Sequence, residues 1–371
     1  MAKVNCPLCG HEFEKEKLKT NTHFLTDGII RQALNFDGSN VKDKGFYNEF
    51  SSNSPYIGFN FQRKASEKFS EAFERQANSV EIEKSKNTIA FSVDYIFCKD
   101  CEDKFTKIET KFQADILKKM REKGEKNLIT ESILHFENSN LIRVFFLLQI
   151  WRTNICEPIF KLSNEVSNEL RNIILEYGEG QIEISKKHPL IINYLETLGG
   201  GIEYTKNTVG YSNDKNPFPI WMNDFVIQFY ESKEDLIYKD FYELNGKETF
   251  QNEANVDEKI FKINIKSNLF RSNFNEKLLK ENVITKISQY TSNFKYIWNK
   301  IFKNYPSQNI INKYLIPFIY SNSNIYYKYS EENLKNYTLK FIEYFISNDQ
   351  SYAKIYHKFL SKKFDAFNRS K

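Results

Sequence analysis

Four cysteines fall in two Cys-x-x-Cys pairs, Cys6-Pro7-Leu8-Cys9 and Cys98-Lys99-Asp100-Cys101, and a histidine, His23, stands between the pairs. Two residues between cysteines let both sulfurs of a pair point at one ion from a tight turn. Two such turns close a tetrahedral shell of four thiolates, which is zinc chemistry. A closed shell leaves no open position, so this zinc is expected to be structural, pinning two distant segments together. The fifth cysteine, Cys156, is left over and reads as a small buried hydrophobe. With the other thiols committed to a metal, Cys-His and Ser-His-Asp catalysis find no support.

The elements around these residues follow from periodicity. A zinc knuckle opens the chain. Ile29, Ile30, Ala33 and Leu34 suit a short helix after His23. Residues 37–60 are rich in Gly, Ser and Asn and read as a loop or insertion. Ala65, Phe69, Ala72 and Phe73 have helical spacing within 64–78. Residues 88–97 alternate through Ile89, Phe91, Val93, Tyr95 and Phe97, as a strand running into the second cysteine pair. Cys101 opens a helix with Phe105, Ile108 and Phe112 on one face. Residues 127–177 look helical, and Leu141–Asn154 is apolar nearly all round, which predicts a buried core helix. Short β-like runs then appear at 182–184, 202–211, 225–230, 236–244 and 261–265, and helical periodicity returns from about 272. The expected fold class is therefore α+β. Residues 1–125 form a cysteine-bracketed domain, and residues 126–371 form a mainly helical region with a β-rich part at about 180–270.

Composition sets the limits. The chain has 371 residues with 40% hydrophobic and 27% charged, the balance of a soluble globular protein. Net charge is +5, a mild and interspersed excess that permits nucleic-acid binding without arguing for it. Aromatics reach 16%, but the accompanying Asn, Lys and Ile fit an AT-rich coding bias. No apolar stretch is long enough to cross a bilayer and no secretory leader opens the chain. Cysteine usage points to a reducing compartment, so a cytoplasmic location without membrane contact is expected.

The arrangement resembles the HNH endonuclease family in its zinc-stabilised ββα-metal form. It is closest to a bacterial group whose second motif reads Cys-x-x-Cys-Glu followed by Phe and a further Glu. Here those residues are Cys98, Cys101, Glu102, Phe105 and Glu109, and Leu147-Leu148-Gln149-Ile150-Trp151-Arg152 is similar to a Trp-Arg helix found in that group. The match covers roughly residues 1–112. It implies an N-terminal zinc-bound HNH-like ββα domain with His23 as general base. Asp94 falls near the family's middle position, and Glu102 takes the last position, where His, Asn or Lys is usual.

Glu102 and Glu109, seven apart on a helix, share a face. With His23 and Asp94 they could hold a hard Mg²⁺ or Mn²⁺ through oxygen ligands. The plainer alternative is that acids in a helix's first turns serve its dipole. Thr22 stands where the family's acid precedes the histidine, and Leu25-Thr26-Asp27-Gly28 replaces its Pro and paired Gly. The resemblance implies metal-dependent cleavage of nucleic acid, DNA before RNA, in bacterial anti-phage defence or a mobile element, with a regulatory protein as possible partner. The rival expectation is a catalytically inactive zinc scaffold that binds nucleic acid or a partner subunit.

Overall fold

The computed structural model describes residues 3–20, 22–34, 46–50, 58–61, 91–125, 129, 132–180, 184–196, 208–212, 214–256, 259–320, 331–348 and 352. The helix expected over 64–78 lies outside these residues, as does most of the strand expected at 182–184. The chain divides into two compact units, residues 1–52 with 59–278, and residues 53–58 with 279–371.

The first unit is a mixed α+β structure. A hairpin of β1 (Lys3–Asn5) and β2 (Glu12–Glu14) carries the first cysteine pair in its turn. A two-stranded ladder joins β3 (Thr22–His23) to β6 (Ser92–Val93), and α1 (Asp27–Leu34) follows β3. Helix α2 (Lys99–Phe112) runs through one π turn, Gln113–Leu117, into α3 (Lys118–Glu125).

The large sheet has eight strands in the order β5-β4-β9-β10-β11-β8-β12-β7. Its strands are β4 (Phe46–Phe50), β5 (Gly58–Phe61), β7 (Ile133–Phe136), β8 (Leu190–Leu195), β9 (Thr208–Tyr211), β10 (Phe218–Met222), β11 (Phe225–Phe229) and β12 (Phe261–Lys266). The β4–β9 and β8–β12 pairs are parallel; β9–β10, β10–β11, β11–β8 and β12–β7 are antiparallel. Two further helices are α4 (Ser139–Cys156) and α5 (Asn164–Gly178), the latter capped by Ser163, whose hydroxyl accepts from the Val166 amide.

Helix α4 is buried almost throughout, as its all-round apolar sequence predicts. Phe112 of α2 stacks on Phe145 with ring centroids 3.7 Å apart, and Phe146 meets Phe225 at 5.3 Å and Phe261 at 6.2 Å. One core thus takes in the knuckle (Cys6, Leu8), α2, α4 and one face of the sheet. Each fully buried side chain of this kind contributes roughly 1.5–3 kcal/mol.

Three expectations need correction. The alternating run at 236–244 is a series of turns, with Tyr242 and Glu243 in left-handed backbone at φ 53° and 62°. The strand expected over 88–97 shrinks to Ser92–Val93 because Phe91 and Tyr95 on either side also take positive φ. Residues 37–60, read as a loop, contain β4 and run into β5.

The second unit contains most of α7 (Asn268–Phe302), with α8 (Gln308–Tyr320) and α9 (Glu331–Asn348). It has its own aromatic core, in which Phe294 stacks on Tyr314 at 4.2 Å and the hydroxyls of Tyr314 and Thr338 lie 2.9 Å apart. Among the described residues no helix is long and apolar enough to cross a membrane.

Candidate metal centre and the ladder beside it

The first cysteine pair is shaped by its hairpin. The Cys6 amide donates to the His11 carbonyl at 3.0 Å and the Gly10 amide to the Cys6 carbonyl at 2.8 Å. Gly10 closes the turn at φ +77°, where a residue with a Cβ would be strained. Arg171 of α5 donates from Nε to the Pro7 carbonyl at 2.9 Å, which braces the knuckle from outside. Cys98 is the N-cap residue of α2, so the second pair sits where the strand-like segment turns into helix.

Structure brings the pairs together. The sulfurs of Cys6, Cys9, Cys98 and Cys101 all lie within 4.8 Å of one another, and Cys9 and Cys98 are 3.9 Å apart. Zinc–sulfur bonds of about 2.3 Å at tetrahedral angles put sulfurs about 3.8 Å apart. The tetrad can therefore hold a metal ion such as zinc.

Its acid–base state fits the same reading. A bond from Cys101 holds the Cys6 thiol down at about 4, while burial pushes Cys98 up to about 11. Cys101 is raised further, because its proton serves Cys6 and because it is buried. Without a cation, one sulfur ionises and its neighbours keep their protons. A divalent ion neutralises the charge that creates this conflict.

The candidate catalytic residues lie on the ladder and helix next to this centre. His23 is half-buried on β3, opposite Ser92 of β6, and Asp94 is exposed just past the ladder's end. Thr22 is buried and lies beside Glu102 of α2. Successive strand residues face opposite ways, so the His23 side chain leaves the ladder on the face away from Thr22. Glu102 is 8% exposed, and its Oε1 meets no hydrogen-bond partner among the described residues. Burial raises its carboxyl above the usual range, against the opposing pull of Arg152.

Glu109 is committed elsewhere. It forms a close ion pair with Arg152 of α4 and accepts a bond from the Thr26 hydroxyl at 2.8 Å. Arg152 also donates to the His23 carbonyl at 3.0 Å and lies over the Phe105 ring at 5.3 Å. Gln149, one turn before Arg152, accepts from the Thr26 amide at 3.0 Å. This network joins α4 to the segment carrying His23. The Trp-Arg helix motif drew attention to Arg152, but its partners are far apart in sequence. Among the described residues, the cysteines are the group of three or more His, Cys, Asp or Glu side chains gathered as metal ligands; His23, Asp94, Glu102 and Glu109 do not form one.

No family model, curated protein or solved structure matches the chain.

Proposed function

We propose that the chain is a metal-dependent, HNH-like endonuclease that cleaves DNA, with a structural zinc on Cys6, Cys9, Cys98 and Cys101. The observation that carries this reading is the position of Glu102. Two strands, β3 and β6, lead to a helix that starts at the cysteine tetrad, and one turn in, a buried carboxylate oxygen has no protein partner. Such an oxygen suits a hard cation, Mg²⁺ or Mn²⁺. In this reading His23 takes the proton from the attacking water, a task suited to an imidazole. Asp94 borders the same open end of the ladder, and Glu109 positions the His23 segment through Arg152. The divalent ion, when bound, supplies positive charge for the leaving oxygen.

A second reading has its own support. Glu109 is tied to Arg152 and the acids are not gathered with His23, which favours a zinc scaffold that binds nucleic acid or a partner subunit without cutting it.

Plasmid and single-stranded DNA, incubated with wild type and His23→Ala in Mg²⁺, Mn²⁺ or chelator, separate the two. Cleavage that needs the ion and disappears in a folded, zinc-loaded His23→Ala establishes the nuclease. Absence of cleavage by the wild type favours the scaffold, and equal cleavage by both proteins removes His23 from the mechanism.

A further inference from the structure

The face of the eight-stranded sheet turned away from the main core carries polar side chains that the metal centre does not use. Strand register lays one row across it. Trp221 of β10 lies opposite Val226 of β11, Val226 opposite Asn193 of β8, and Asn193 beside Asn264 of β12. Their chain neighbours Ile192, Ile220, Ile227 and Ile263 point the other way, into the main core.

Asn193 is 0% exposed and Asn264 3%. The amide nitrogen and oxygen of both meet no hydrogen-bond partner among the described residues. The same face shows what a satisfied amide looks like. Gln228 donates to Asn245 Oδ1 and Asn245 donates to Gln228 Oε1, each at 2.8 Å. Four buried amide atoms side by side without partners oppose folding, so a sequence that keeps them needs a use for them.

The row is walled on both sides. The first turns of α7 cross one side, where Arg271 donates to the Leu195 carbonyl at 2.8 Å and Asn275 accepts from the Thr208 hydroxyl at 2.8 Å. Residues 231–256 cross the other side, held by Asn245 on Gln228 and by Phe250 against Tyr230. Aromatic rings close the β10 end: Phe241 stacks on Trp221, and Tyr242 meets Phe274 edge-on. The nearby charge of Asp224 is already paired with Arg121 and Arg271.

We propose that this slot binds a nucleobase, read by the side-by-side carboxamides of Asn193 and Asn264. A carboxamide offers a donor and an acceptor together, as the edge of a base does, and two of them can read a full edge. The aromatic end wall suits a flat ring. The charge balance favours the base over a phosphate as the group recognised there.

The test uses the full, zinc-loaded chain with adenosine, guanosine, cytidine and uridine, followed by thermal unfolding and titration calorimetry. At least one nucleoside should bind the wild type and raise its Tm. In Asn193→Leu/Asn264→Leu, which keeps side-chain shape and removes the amides, Tm without ligand should rise by about 2–4 °C or more and the nucleoside shift should vanish. If that variant does not fold, Asn264→Ser carries the test and should lose about tenfold in affinity. Failure of all four nucleosides to bind the wild type at millimolar concentration would overturn the proposal. Equal binding by wild type and the foldable variant would do the same.

Discussion

Arg152 and Glu109 form a buried ion pair between α4 and α2, and the same arginine holds the backbone of His23. Arg152 is 2% exposed, so its charge depends on these partners for compensation. Removing one member of such a pair leaves the other uncompensated and costs about 3–5 kcal/mol, whereas removing both costs far less. Arg152→Met should therefore lose that much stability in urea unfolding, and Arg152→Met/Glu109→Gln should recover most of it. A loss below about 1 kcal/mol for the single variant would show that the pair does not tie the two helices together.

The thiols should react in two classes. Burial pushes Cys156 up to about 12 from an ordinary value of 9.0, so at pH 8 its thiolate fraction falls about a thousandfold below that of an unperturbed thiol. In the metal-loaded protein all five cysteines should resist an aromatic disulfide reagent. Chelation should release Cys6, Cys9, Cys98 and Cys101 to react while Cys156 lags until the chain unfolds. Fast labelling of Cys156 in the folded protein, followed by peptide mapping, would contradict its placement.

The parts of the structure legible in sequence were those with a local signature. The cysteine pairs announced the tetrad because each pair is a self-contained turn, and the all-apolar α4 announced its own burial. Strands β8 and β10, with sequences LIINYL and FPIWM, were passed over because every residue in them is buried. A strand covered on both faces loses the alternation that identifies one. The opposite error occurred at 236–244, where alternation was present but left-handed residues turned the chain away from the sheet.

The site divides in the same way. Glu102 and Glu109 were visible as one helix face. That one is buried beside Thr22 and the other paired with Arg152 depends on how α4 and β3 pack on that helix, which spacing within one element does not encode. Asn193 and Asn264 looked like ordinary polar positions until strand register set them side by side.

The central claim is that Cys6, Cys9, Cys98 and Cys101 close around one zinc and join the N-terminal hairpin to α2. X-ray absorption at the zinc edge, with metal content measured on the purified chain, tests it most directly. The account predicts one zinc per chain with four sulfur neighbours at about 2.3 Å, and loss of the metal in Cys98→Ser. Metal-free protein that stays folded, or a zinc shell containing nitrogen or oxygen in place of one or more sulfurs, would contradict it.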